Sequence, residues 1–367
     1  MQKFSYSQFH VWRVRKTSLH MIRFFLLLAS ALLLASLGLG QETSVAPSPK
    51  DSLAQADSLL NQGKPDEALA LLTDLAAKAP TAPGLDAMFG KAYFQSKRFP
   101  QAVVHLKAAL QQNPEDLEST QLLALTFYAS RDYEEALPLL EKLGPQLPKS
   151  NADGPYLLGT CYIMTQRWDD ARKTFAQVFS VSPDSSMAYF MFGKILIRQR
   201  MEDRAIPEIE KALQLDARLP MAHFLLGEID LFKKHARAAV DEFHKELAIN
   251  PTVWLVYWRL GDAYVQLENY DEAEKVLKEA IWLNELSTGA YILLGEISLK
   301  KGDPGIAVGF LEQALKLDPQ NYWVHYFLGK AYHAVGRATE ATQQFEISKS
   351  LTDDRINQER NMLQAVP

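Results

Sequence analysis

Residues 321–346 read NYWVHYFLGKAYHAVGRATEATQQFE, and the spacing of their small residues recurs along most of the chain. Steps of 34 residues back from Gly329 reach Gly295, Gly261, Gly227, Gly193 and Gly159. The same steps from Ala341 reach Ala307, Ala273, Ala239, Ala205 and Ala171, and after one extra residue Ala136, Ala102 and Ala68. A fixed period of this length is typical of stacked supersecondary units rather than of one globular core.

The period divides the chain into nine units. Their first residues are Pro49, Pro83, Leu117, Ala152, Ser186, Pro220, Trp254, Thr288 and Tyr322. Seven of the eight intervals are 34 residues, and the one from Leu117 to Ala152 is 35. We place the extra residue in the loop around residues 148–154, because insertions are best tolerated in loops.

Each unit reads as two helices joined by a polar turn. Apolar or small residues at positions 4, 7, 8 and 11 of a unit follow the period of a helix. A second helix carries Ala at position 20 in all nine units. Proline, which cannot continue a helix, follows the second helix in six units, at Pro80, Pro114, Pro148, Pro183, Pro251 and Pro319. The sequence therefore predicts an all-α solenoid of helical hairpins.

Small residues at positions 8 and 20 indicate where the two helices of a hairpin cross. Position 8 is Gly in seven units and Ala in two, Ala56 and Ala124. Glycine in a helix interior costs about 1 kcal/mol, so its repeated use requires a packing reason. A larger side chain at a close crossing would cost about 1–3 kcal/mol through overpacking. We therefore expect the two backbones to approach each other closely.

The pattern resembles the tetratricopeptide repeat family. The fourth unit carries it in Leu158, Gly159, Tyr162, Ala171, Phe175, Val178 and Pro183, and the resemblance covers residues 49–352. It implies nine pairs of antiparallel helices stacked into a right-handed superhelix. The first helix of each pair would line the concave side. It also implies a protein that holds another protein or a peptide, usually without catalysis.

The N-terminal 40 residues are typical of a secretory signal. They contain five basic residues and no acidic one, followed by an uncharged apolar block from Phe24 to Gly40. Translation from Met21 would leave a compact signal. We expect cleavage and export to the periplasm, the envelope or the medium; the alternative is one uncleaved membrane anchor. The N-terminal mass of the mature chain separates the two.

Beyond the signal, we assign residues 41–48 to a linker, 49–352 to the solenoid and 353–367 to a C-terminal cap or tail. Loss of five basic residues would take the net charge from −5 to about −10. An acidic body opposes nucleic-acid binding, which needs clustered Lys and Arg.

Two positions of the first helix are candidates for partner binding. By helix geometry, positions 5 and 9 lie away from the face formed by positions 4, 7, 8 and 11. Position 5 carries Tyr156, Phe190, Phe224, Trp258, Ile292 and Tyr326, and position 9 carries Lys194, Glu228, Asp262, Glu296 and Lys330. Aromatic side chains bordered by charges are typical of interfaces. The alternative is that position 5 packs against the neighbouring unit.

Two acids in the sixth unit depart from the family pattern. Asp230 replaces the aromatic residue of position 11, and Glu246 replaces the small residue of position 27. We expect these acids to reach solvent or to pair with Lys233, Lys234 or Arg237; the alternative is a functional notch.

The single cysteine, Cys161, excludes an intramolecular disulfide and is expected to be a small buried hydrophobe.

No motif predicts an enzyme, a cofactor or a metal site. No two of the histidines beyond residue 40 have the i, i+4 spacing of a metal-binding pair. The sequence favours an exported, non-catalytic scaffold that binds a protein or peptide in a groove. The alternatives are a membrane-anchored envelope assembly factor and, less favoured by the acidic charge, a helical-repeat protein that reads RNA.

Overall fold

The computed structural model of the protein describes residues 48–144 and 153–364, in which all regular structure is α-helical. The described helices are α1 (Pro49–Asn61), α2 (Pro65–Lys78), α3 (Leu85–Gln95), α4 (Phe99–Gln112), α5 (Leu117–Ala129), α6 (Tyr133–Leu143), α7 (Asp153–Met164), α8 (Trp168–Val178), α9 (Ser186–Arg198), α10 (Glu202–Leu215), α11 (Ala222–Phe232), α12 (Ala236–Ile249), α13 (Trp254–Gln266), α14 (Tyr270–Leu283), α15 (Thr288–Lys301), α16 (Pro304–Leu317), α17 (Tyr322–Ala334) and α18 (Ala338–Gln364). They form nine consecutive hairpins, so the predicted all-α repeat fold is confirmed.

The chain divides into two compact units, Met1–Ala171 and Arg172–Pro367. In each unit a second helix packs on the first helix of the following hairpin, as α4 does on α5 and α12 on α13. First helices of successive hairpins also touch, as α13 does α15 and α15 does α17. Each hairpin therefore covers part of the next one, as expected for a repeat protein.

Each hairpin has the same left-handed turn between its helices. In the seventh hairpin Glu268 has φ 57°, and the N–H of Asn269 donates to the carbonyl of Tyr264 at 2.9 Å. This is the six-to-one hydrogen bond that closes a helix C-terminus. The nine equivalent residues with positive φ are Gly63, Lys97, Arg131, Gln166, Arg200, Lys234, Glu268, Gly302 and Gly336. The turn needs a residue with positive φ, a conformation that favours glycine, although only three of the nine hairpins have glycine there.

The position-8 glycines make room for a side chain of the second helix. A Cβ at Gly261 would lie 2.5 Å from Leu277, and one at Gly227 would lie 2.6 Å from Phe243. The same conflict with the position-24 side chain occurs at Gly90, Gly193, Gly295 and Gly329. A small residue is therefore required, as predicted, but a side chain fills the space rather than the opposing backbone. The position-20 alanines are all buried.

Several sequence predictions lie outside the described residues. They are the signal segment 1–40, residues 41–47 of the linker and residues 148–152 of the loop with the extra residue. The C-terminal segment from Asp353 continues α18 as far as Gln364. None of the helices in the described ranges is long and apolar enough to cross a membrane.

Cys161 lies on α7 and is fully buried, as predicted. Burial raises the pKa of its thiol to about 12. The thiol therefore stays protonated at neutral pH, and Cys161 contributes packing rather than reactivity.

Candidate functional site

Position 5 does not form the continuous exposed row that helix geometry predicts. Three of its side chains are buried, namely Phe190, Phe224 and Ile292. Trp258 is half-buried, and only Tyr156 and Tyr326 are exposed, at 38% and 39%. The expectation of exposure is therefore wrong for the three buried residues, which belong to the core. The alternative, packing against a neighbouring hairpin, describes this position better.

Trp258 illustrates how the next hairpin covers position 5. A Cβ at Gly289, at the start of α15, would lie 2.5 Å from the Trp258 indole. The Trp254 ring is stacked on the Trp258 ring, with a centroid distance of 6.4 Å. The guanidinium of Arg259 lies 5.3 Å from the Trp258 ring centroid. Trp258 is therefore held in place while it stays partly accessible.

Two position-9 acids are fixed by an arginine that sequence reasoning missed. Arg259, at position 6 of α13, is buried, and its Nε donates to a carboxylate oxygen of Glu228 on α11. Its second contact is with Asp262, 2.8 Å away, and Asp262 also accepts from Gln266 at 3.2 Å. Glu228 and Asp262 are both buried. These predicted site acids thus form a charge-paired link between neighbouring first helices, and removal of one partner would leave a buried charge.

Glu296 follows Asp262 at position 9 of the next hairpin and differs from it. It is half-buried, and among the described residues it forms no salt bridge or side-chain hydrogen bond. Burial raises the pKa of its carboxyl, Lys300 and Lys330 act in the opposite direction, and Asp262 adds to the rise. The first-helix surface thus contains one acid whose charge is not neutralised by a direct contact.

Several aromatic rings lie beside Lys330 on α17. The Lys330 ammonium lies 5.6 Å from the ring centroid of Tyr326 and 5.9 Å from that of Phe327. Trp323 stacks on Phe327 with a centroid distance of 5.8 Å and meets Tyr326 edge-on at 5.9 Å. Lys330 and Tyr326 are exposed. Such a group offers apolar area, a cation and little side-chain entropy loss on binding.

Within Arg172–Pro367, five predicted site residues remain accessible at least in part. We call them the accessible row: Lys194, Trp258, Glu296, Tyr326 and Lys330. Four of them lie on α13, α15 and α17, which contact one another in order. Lys194 is on α9, with its ammonium 5.6 Å from the buried Phe190 ring. Their role in binding stays a prediction.

In the unit Met1–Ala171, position 9 serves to join hairpins. The Lys91 ammonium lies 2.7 Å from Asp57, 34 residues earlier, and 3.0 Å from Glu118 of the following hairpin. Burial alone would lower the pKa of Lys91, but the bonds to the two acids raise it overall. The opposite charges of Asp57 and Lys91, which occupy position 9 of successive units, were the available sequence signal for this link. Tyr156, the predicted site residue of this unit, is exposed on α7.

The two unusual acids of the sixth unit have structural partners. Glu246 is fully buried and accepts from the backbone N–H groups of Met221 at 2.7 Å and Phe224 at 3.3 Å. It therefore caps α11 from the neighbouring helix, because Met221 gives no side-chain cap. The Asp230 carboxylate lies 3.6 Å from His235 rather than from the predicted Lys233, Lys234 or Arg237. The expected pairing is wrong for both acids.

Three histidines take part in contacts between the helices of one hairpin. His105 is 2.8 Å from Asp86, His223 is 2.6 Å from Glu242, and His325 is 2.6 Å from Gln344. Each pair joins positions 4 and 23 of its unit. No group of three metal-ligating side chains occurs in the part of the chain that the structure describes.

Two family models described as tetratricopeptide repeat match the chain, one over residues 59–126 and 298–356 and the other over 156–220 and 258–322. Together these matches cover more than half of the chain. A model described as anaphase-promoting complex, cyclosome, subunit 3 matches residues 102–178.

Among the curated proteins that match parts of the chain are the following two. Anaphase-promoting complex subunit 3 of Schizosaccharomyces pombe is 22% identical over 129 residues, which is 35% of this chain and 19% of that protein. BBSome complex member BBS4 of Bos taurus is 32% identical over 94 residues, 26% of this chain and 18% of that protein. The chain thus spans less than a fifth of the length of either relative.

Among solved structures, MamA is similar with 22% identity and a TM-score of 0.41, over 45% of this chain and 96% of that one. YrrB, described as a TPR protein with an unusual peptide-binding site, is 23% identical with a TM-score of 0.42. The similarity covers 50% of this chain and 95% of the YrrB chain. Scores in this range support no inference about what this chain binds.

Proposed function

Because the chain belongs to the tetratricopeptide repeat family, we propose that it is a non-catalytic scaffold that holds a protein or peptide partner. The accessible row is the proposed contact surface. One observation carries the proposal: α13, α15 and α17 together present an acid without an ionic contact, the exposed Tyr326, the half-buried Trp258 and a lysine. These groups lie on helices that already touch one another, so they need little reorganisation to bind.

The surface fits an extended or helical segment of a protein rather than a small molecule. Tyr326 and the half-buried Trp258 offer apolar contact, while Glu296 and Lys330 offer charges of opposite sign. Aromatic anchors surrounded by charges give affinity and orientation in protein interfaces. The buried Arg259 contacts keep the helices in register beneath this surface.

We also propose that the scaffold acts outside the cytoplasm. The support is the basic and then apolar sequence of residues 1–40, which is typical of a secretory signal. The partner would then be an envelope or secreted protein. A chain held by an uncleaved N-terminal segment would carry the same binding surface at the membrane.

The test is affinity isolation from native envelope extracts with wild type and a triple variant, Trp258→Ala, Tyr326→Ala and Lys330→Ala. Phe224 is unsuitable for such a variant because it is buried. The matched control changes exposed residues of second helices, Trp282→Ala, Ile306→Ala and Lys316→Ala. We expect the first triple variant to lose the partner and the control to keep it, with equal helicity. Retention by both variants would refute the assignment of the surface.

A further inference from the structure

The second helix of the ninth hairpin exposes a position that every other comparable hairpin buries. Phe345 on α18, at position 24, is 37% exposed. The residues at the same position in the other eight hairpins are at most 3% exposed. They are Leu72, Leu106, Leu140, Phe175, Ile209, Phe243, Leu277 and Leu311. The difference arises because a following first helix, such as α13 after α12, packs there in the other hairpins.

Phe345 belongs to a partly exposed stripe along α18. Residues Phe345, Lys349, Thr352 and Ile356 are spaced by four, three and four residues, so they share one helix face. Ile356 is 43% exposed, and Lys349 is exposed. α18 continues to Gln364 instead of turning back, and within the described residues no later helix packs on this stripe. We call these four residues the terminal stripe.

The first hairpin of another copy is a poor occupant of this face. In α13, which follows another hairpin, positions 3, 7 and 10 are Val256, Leu260 and Ala263, all apolar and fully buried. In α1 the same positions carry Asp51, Gln55 and Ser58, all exposed. A head-to-tail contact would bury these three polar side chains without partners, which is costly.

The terminal stripe is instead complementary to itself. When two copies of α18 lie antiparallel about a twofold axis near residue 351, Phe345 faces Ile356 of the second copy. Lys349 then faces Asp353 of the second copy, and the twofold axis repeats both contacts. We propose that the terminal stripe binds the same stripe of a second copy of this chain, which makes the scaffold a symmetric dimer.

The test is sedimentation equilibrium of the full chain up to about 100 µM, a range that detects the weak dimers expected of small interfaces. We expect wild type to dimerise and Ile356→Asp to be monomeric. The control, Ile306→Asp, changes an isoleucine of α16 that is 56% exposed, and this variant should stay dimeric. A monomeric wild type, or a dimeric Ile356→Asp variant, would overturn the proposal.

A charge-reversal cycle tests the register. Lys349→Glu and Asp353→Lys should each weaken dimerisation about tenfold, and the double variant should restore it, because the reversed charges again face each other. Circular dichroism checks that α18 stays helical in each variant. Additive losses in the double variant would refute the antiparallel pairing.

Discussion

Glu296 shows how a single residue relates folding to the proposed function. Its half-buried carboxylate has no ionic contact within the described residues, whereas Glu228 and Asp262 at the same position are bonded to Arg259. An acid that lacks such a contact costs stability, and residues of this kind concentrate at binding surfaces. A cationic group of a partner would relieve the cost.

Replacement of this acid should stabilise the protein in a pH-dependent way. Burial raises the pKa of Glu296 in the folded state, so folding favours its protonated form. Ionisation therefore removes stability as the pH rises from the ordinary carboxyl pKa through the raised one. We expect Glu296→Gln to increase the free energy of unfolding at pH 7 and to have little effect near pH 4, measured by urea unfolding at both pH values.

The control for this prediction is Glu285→Gln, which changes an exposed acid in the loop before α15. It should have little effect at either pH. Lower stability of Glu296→Gln at pH 7 would mean that the charged carboxylate is favourably solvated, contrary to our interpretation.

At the scale of the helical hairpin, the left-handed turn determines how the two helices meet. Glu268, like five other non-glycine residues at this position, has a backbone conformation that an L-residue adopts at a cost. Gly63, Gly302 and Gly336 at the equivalent position were the sequence signal for this turn. The strain persists because the hydrogen bond from Asn269 to Tyr264 and the packing of both helices outweigh it.

We therefore expect Glu268→Gly to raise the free energy of unfolding by about 1 kcal/mol, since glycine adopts positive φ without a Cβ penalty. Glu268→Ala keeps the Cβ and is the matched control, with an expected change close to zero. Thermal and urea unfolding would measure both. Equal effects of Gly and Ala would show that the turn carries no strain.

The hairpins themselves could be predicted from sequence because the packing that specifies them is local and repeated. Gly261 must be small to admit Leu277, and this requirement recurs at the same spacing in the other hairpins. Burial at position 5 was only an alternative at the level of sequence, because helix periodicity gives the direction of a side chain but not its distance to the next hairpin. Glu246 was misread for a similar reason: its partners are backbone N–H groups of another helix, which no side-chain pattern reveals.

For the whole molecule, the sequence predicted a long exposed row, but the structure leaves a shorter set of accessible residues. Phe190, Phe224 and Ile292 are core residues, and Glu228 and Asp262 bond to Arg259. What remains on α13, α15 and α17 is a surface of mixed charge with aromatic edges. A scaffold of rigid, mutually covered hairpins can hold such a surface in place without a partner.

The most direct test of this account is site-specific photo-crosslinking in the native envelope. A photoreactive phenylalanine analogue at Lys330, on the accessible row, is compared with one at Lys316, an exposed lysine of α16. We expect the probe at Lys330 to capture a discrete partner protein and the probe at Lys316 to capture none. Capture of that partner only from Lys316 would contradict the assignment of the first helices as the binding surface.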